Sequence, residues 1–141
     1  MATDIGRRVV VDSSVLLRVL LGDSPVYSPA AQKWLAGAHR RGSTPVILSI
    51  ALTEVVTVLR RAKDQRSHAE IVSALDSILA LPVQVEEREV IEAAVELYRG
   101  RHARDWEDCV IAAHAIKFAE GRLATYDRSL ASLPGVVAVA P

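Results

Sequence analysis

Cysteine is almost absent from this sequence: Cys109 stands alone among 141 residues. An internal disulfide and a zinc site of paired cysteines are both excluded, and a reducing cytoplasm suits the one thiol. Aromatic residues make up only 4% although half of all residues are hydrophobic, so Val, Leu, Ile and Ala must fill the core. Neither sign of charge prevails, with 17 basic against 17 acidic side chains. Bulk attraction to nucleic acid is therefore excluded, and any such binding requires a local basic patch. No apolar run approaches the ~18 residues of a membrane span. The first residues do not read as a signal peptide, because Arg7 and Arg8 precede only a short VVV before Asp12. Repeats, low-complexity tracts and dividing linkers are missing as well. One cytoplasmic domain over residues 1–141, with no membrane contact, is the expectation.

What the sequence does contain is alternation. RRVVVD is a β-branched run that stops at an acid and predicts a buried strand. SSVLLRVLL follows with helical spacing, and Ser13 or Ser14 is available as its N-cap. A loop is expected over Asp23–Pro29, which holds two prolines. AAQKWLAGAHRR predicts one helix ended by Gly42, and PVILS a second strand. IALTEVVTVLRRA predicts a long helix with Leu52, Val55, Val56 and Leu59 on one face. SHAEIVSALDSILAL predicts a helix capped by Ser67 and ended by Pro82, followed by a short strand in PVQVEE. REVIEAAVELYRGR predicts a helix ending near Gly100, and another is expected from about Trp106 to Glu120 with its stop at Gly121. RLATYD, SLASLP and GVVAVA then predict a strand, a helical turn and a last strand. This order predicts an α/β fold with a small, mostly parallel sheet of about five short strands flanked by helices.

The acids fall at particular places in that pattern. Asp12 and Asp127 directly follow strands, where open α/β sheets form their sites. Glu54 lies early in an apolar helix that follows a strand, and Asp108 opens the helix of WEDCVIAAHA. Each acid alone has a structural explanation. A carboxylate in a first helical turn is favoured by the macrodipole by ~0.3–1 kcal/mol, which would suffice for Asp108 or Glu54. Asp105 with Asp108 three residues on resembles a capping box, and Asp12 and Asp127 could cap the turns that follow them. Together they are harder to explain. Four acids gathered at one sheet edge would repel one another unless a cation balanced them. A hard divalent ion such as Mg²⁺ or Mn²⁺ takes oxygen ligands and substrate phosphate, which points to metal-dependent phosphodiester hydrolysis.

These motifs resemble the PIN-domain nucleases, most closely the VapC-type toxins of bacterial toxin–antitoxin pairs. The similarity covers nearly the whole chain, as VVVDSSVLL with Asp12, LSIALTEVVTVLRR with Glu54, WEDCVIAAHA with Asp108 and LATYDRSL with Thr125 and Asp127. The resemblance implies a PIN-like α/β/α sandwich and a Mg²⁺- or Mn²⁺-dependent endoribonuclease, often a homodimer, inhibited by a cognate antitoxin. It implies Asp12 and Asp108 as metal ligands, with Glu54 and Asp127 completing the acidic pocket directly or through water. Ser14 and Thr125 would support the carboxylates, and Asp105 could contribute beside Asp108. Two positions depart from the usual pattern without removing a ligand. Ser14 stands where Asn or another small polar residue is common, and Cys109 where Ala is common.

The remaining polar residues offer less. Basic side chains cluster as Arg40–Arg41, Arg60–Arg61–Lys63–Arg66 and Arg99–Arg101–Arg104, either as solvated helix ends or as contacts for an RNA backbone. Arg104, beside the acidic stretch, is the nearest candidate for RNA. His114 follows Asp108 by six residues and faces away from it on a helix. Trp34 and Trp106 suit packing better than base stacking, and Cys109 reads as a small packing residue. Apolar early helices offer a face to a second copy or an antitoxin. The rival to an enzyme is a catalytically silent PIN-like module that binds RNA or protein, against which the four acids argue. A phosphoryl-accepting receiver or phosphatase would want a paired acid at the first strand and a late lysine, and neither is present.

Overall fold

The computed structural model describes residues 2–61, 65–100 and 105–141, and the chain divides into two compact units at Glu86/Glu87. The first unit is built on three parallel strands in the order β1 (Arg8–Val10), β2 (Thr44–Ile47), β3 (Gln84–Val85). Val10 pairs with Val46, and Ile47 pairs with Val85. Pro45 sits in the central strand, where a missing N–H would ordinarily cost a ladder bond. Thr44 donates to Arg7 and Val46 accepts from Val11, both on the β1 side, so the proline's lost donor faces β3. β3 begins only opposite Val46, and no bond is forfeited.

Among the described residues, five helices complete this unit: α1 (Ser13–Leu21), α2 (Tyr27–Ala36), α3 (Ala38–Arg41), α4 (Ser49–Arg61) and α5 (His68–Leu79). α4 buries the predicted face, Leu52, Val55, Val56 and Leu59, while α1 buries Leu16 and α5 buries Ile71, Leu75 and Ile78. Ser67 caps α5 as predicted, and the structure completes the cap as a capping box with Glu70. Two expectations change. The loop over 23–29 is shorter, because α2 starts at Tyr27 and takes Pro29 into its first turn, where a missing N–H costs nothing. The single helix expected through AAQKWLAGAHRR breaks at Gly37 into α2 and α3.

The second unit holds α6 (Arg88–Arg99), α7 (Trp106–Phe118), β4 (Arg122–Ala124), α8 (Arg128–Ala131) and β5 (Val137–Val139). β4 and β5 pair in parallel, so within each unit the strands of the described residues pair in parallel, three in the first and two in the second. α6 and α7 pack against each other. Val90, Ile91, Ala94 and Tyr98 of α6 are buried, as are Trp106, Cys109, Ala112 and Ala113 of α7. The Tyr98 and Trp106 rings meet edge to face with centroids 5.7 Å apart. His114 turns from the acids of its helix to Glu87, with Nε2 3.1 Å from Oε2, and Lys117 pairs with Glu89. Gly121, at φ +82, closes α7 by donating to Ala115. A Cβ there would collide with the Gly135 carbonyl, so only glycine lets β4 start so close to the chain entering β5.

No described helix is long and apolar enough to cross a membrane.

Candidate active site

In the first unit, β1 leads into the turn before α1, and Asp12 stands there as the N-cap. Its backbone is extended, and its Oδ2 accepts from the Ser14 amide at 3.2 Å and from the Ser14 hydroxyl at 2.5 Å. Of the candidates that the sequence left open for the cap, Ser13, Ser14 and Asp12, it is Asp12 that takes the role. The Ser14 hydroxyl and amide hold the Asp12 carboxyl below the usual carboxylate range. Asp12 is therefore ionised at neutral pH.

Glu54 is the sixth residue of α4, beyond its first turn. The macrodipole explanation offered for it therefore falls away, since that effect fades within one turn. What holds Glu54 is Ser13, whose buried hydroxyl donates to Oε2 at 2.6 Å. Because Ser13 follows Asp12 directly, Asp12 and Glu54 stand together at the start of α1. Ser13 is a candidate site residue that the sequence reading offered only as a possible cap. The only signal was a second small hydroxyl in DSSV, which local patterning reads as part of a cap.

In the second unit, Asp105 is the N-cap of α7 by position, but its side chain makes no cap hydrogen bond, so the expected capping box with Asp108 does not form. Asp108 lies in the first turn and is half-buried. Burial raises its pKa above the ordinary 3.8, and the charges of Asp105, Asp127 and Glu107 raise it further. Asp127 follows β4 and caps α8, its Oδ1 accepting from the amides of Ser129 at 2.8 Å and Leu130 at 3.3 Å. Thr125 accepts from the Asp127 amide at 3.0 Å and so shapes the turn that presents this acid. Cys109, next to Asp108, is fully buried, and desolvation pushes its thiol up to about 12, which rules it out as a nucleophile. Arg104 lies outside the described residues.

One pattern recurs in three of the acids. Asp12, Glu54 and Asp127 each commit one carboxylate oxygen to local donors. Their other oxygens, Oδ1, Oε1 and Oδ2, accept no hydrogen bond among the described residues. A carboxylate clamped on one side and open on the other is oriented for a further ligand.

The sequence from residue 9 to residue 136 matches the family described as PIN domain. The chain belongs to the PIN-domain family. No curated protein matches it. PIN domains are as a rule nucleases that bind nucleic acid and use divalent metal ions, so hydrolase chemistry goes with the match. Within each unit of this PIN domain, among the described residues, no three His, Cys, Asp or Glu side chains gather to hold an ion. A hard ion does not demand three, since Mg²⁺ is commonly held by one or two carboxylates with waters and substrate phosphate. The donor chemistry fits such an ion. The donors are oxygens with open lone pairs, and the negative charge around Asp108 is of the kind a cation balances.

Proposed function

We propose that this PIN domain, taken as one domain over residues 1–141, is a Mg²⁺- or Mn²⁺-dependent endoribonuclease acting as the toxin of a toxin–antitoxin pair. The observation that carries the reading is the pairing of acids within each unit: Asp12 with Glu54 through Ser13, and Asp127 with Asp108 through the charge that raises its pKa. Asp12 and Asp108 are the proposed metal ligands, with Glu54 and Asp127 acting directly or through water. Divalent metal bound by these acids would supply Lewis-acid activation of the phosphodiester and of the attacking water.

The chain's own residues do the rest. Ser14 orients Asp12 with two hydrogen bonds, Ser13 fixes the rotamer of Glu54, and Thr125 holds the turn from which Asp127 projects. Asp105 adds negative charge beside Asp108 and stands as a supporting residue. An apolar groove of about 510 Å³ in the first unit, lined by Val9, Val10, Val15, Tyr27 and Trp34, runs up to Ser14. It suits the apolar side chains of an antitoxin segment reaching toward Asp12. The same apolar surface supports the proposal of a homodimer, and the metal-dependent chemistry would act in the cytoplasm.

Purified protein with Mg²⁺ or Mn²⁺ is expected to cleave single-stranded RNA internally. Asp12→Asn or Asp108→Asn is expected to abolish cleavage while circular dichroism stays native. Cleavage by both variants at the wild-type rate would refute the assignment. For the toxin role, growth arrest on expression should disappear with Asp12→Asn, and unrelieved arrest would count against it.

A further inference from the structure

The three basic clusters do not fare alike. Arg66 pairs with Glu70 at 3.5 Å and Arg99 with Glu96 at 3.3 Å, while Lys63, Arg101 and Arg104 lie outside the described residues. The Arg40–Arg41 cluster is different, and Gly37 shows why. Its φ of −84° and ψ of −7° are open to any residue, so the backbone does not require glycine there. The space does. A Cβ on residue 37 would stand 2.7 Å from Arg41 Nη1 and 3.8 Å from Arg40 Nη2. Two guanidinium ends therefore turn toward one point above Gly37.

Like charges converge there without an acid between them. Arg41 is pinned: its Nε reaches both Asp4 carboxylate oxygens at 3.0 and 3.1 Å, and its Nη2 reaches Asp4 at 2.8 Å and the Trp34 carbonyl at 2.9 Å. Its guanidinium lies over the Trp34 ring at 5.4 Å, which fixes it further. Asp4 is thereby consumed, and Arg41 Nη1 keeps a donor with no acceptor among the described residues. Exposed Arg40 and Lys33 have no acidic partner among the described residues either. All three cations line a surface depression of about 440 Å³ with Ala30, Trp34 and Gly37. In a chain of zero net charge, this is a local cationic hollow whose floor is held rigid.

We propose that the hollow above Gly37 binds a phosphate of the RNA backbone, through Arg41 Nη1, Arg40 and Lys33, as a docking point for substrate separate from the acids. The chemistry favours a phosphate over a carboxylate chain or an apolar partner. Several N–H donors from two guanidinium groups and an ammonium match an anion with several acceptor oxygens. The proposal rests on the endoribonuclease reading for the source of that phosphate, though the anion site itself stands on geometry alone.

The test uses the full chain carrying Asp12→Asn, so that RNA binds without being cut, and a fluorescein-labelled single-stranded RNA read by anisotropy across a salt series. Adding Lys33→Gln and Arg40→Gln is expected to weaken binding roughly tenfold at low salt and to flatten the slope of log affinity against log salt by about 1.4, since each single-strand phosphate contact contributes ~0.7. Gly37→Ala removes no charge but fills the point of convergence, and it is expected to weaken binding as well. Unchanged affinity and slope in the charge variants would overturn the proposal. So would full RNA affinity in Gly37→Ala, because it would reduce the hollow to diffuse electrostatics.

Inorganic phosphate supplies the second arm. It should change the fluorescence of Trp34 in the parent and not in the Lys33→Gln/Arg40→Gln variant. A phosphate response with no effect of the variants on RNA would mean a free-phosphate site and would overturn the RNA assignment. If the Asp12→Asn chain does not bind RNA and the wild type does not cleave it, the endoribonuclease reading fails with the RNA assignment. The phosphate response then reports on the anion site by itself.

Discussion

Replacing Ser13 by Ala isolates the contact that brings Glu54 to Asp12. The bond removed is short, 2.6 Å from Ser13 Oγ to Glu54 Oε2, and it joins a neutral donor to a carboxylate. Charge-assisted bonds of this kind contribute roughly 1.5–3 kcal/mol net. Two facts reduce that figure here. Glu54 is exposed, so water replaces the lost donor instead of leaving a buried charge unpaired. Alanine also favours the helix over serine by a few tenths of a kcal/mol, and residue 13 is the first of α1. A net loss of about 1 kcal/mol follows, equivalent to a fall in Tm of about 3–5 °C for a chain of this length. Thermal unfolding of the wild type, Ser13→Ala, Glu54→Ala and the double variant gives the coupling directly, and about 1 kcal/mol should belong to the pair. Activity should suffer more than stability. Groups that orient a metal-site carboxylate typically matter by 10–100-fold in metal affinity or rate, and cleavage by Ser13→Ala should fall within that range. A coupling energy near zero would refute the reasoning, because Glu54 would then be oriented without Ser13.

Asp108→Asn should stabilise the fold at neutral pH in the presence of a chelator. The folded pKa of Asp108 is raised, so the folded state favours its protonated form and stability declines as pH climbs from 3.8 through that raised value. The advantage of the asparagine variant should therefore be present at pH 7 and vanish toward pH 3, and a pH series of unfolding midpoints checks both sign and window. Trp106→Ala should cost about 3–5 kcal/mol in urea unfolding, because the ring is fully buried and packed edge-on against Tyr98. Trp106→Phe should lose markedly less, and a near-neutral alanine variant would contradict the packing. Cys109, with its thiol pushed up to about 12, should resist a thiol-specific reagent at pH 8 until denaturant is added. Rapid labelling of the native protein would contradict its burial.

Much of this molecule could be read without coordinates. The alternation of strands and helices, the buried stripe of α4, the N-cap at Ser67 and the stop at Gly121 are local patterns. Each is decided within a few residues by side-chain spacing and by which groups can pair with free backbone amides. The acids were legible for the same reason, since a strand that ends in Asp before a helical run announces a cap. Thr125 and Ser14 act within two residues of the acids they serve, and both were named from sequence.

The limits of that reading appear where contacts join distant segments. Asp105 and Asp108 have the spacing of a capping box, yet the bond is not made, because spacing permits such a bond without requiring it. Glu54 looked explicable by the dipole of its own helix until the helix start at Ser49 placed it beyond the first turn. The break at Gly37 interrupts a run that reads as one helix, and the Arg41–Asp4 clamp spans 37 positions. The Ser13–Glu54 bond spans 41. Composition and periodicity determine by themselves that this chain is α/β and where its acids sit, because those are nearest-neighbour effects. Which hydroxyl meets which carboxylate, and which arginine is left with an open donor, is decided only when the chain closes its long loops and the groups either find partners or do not.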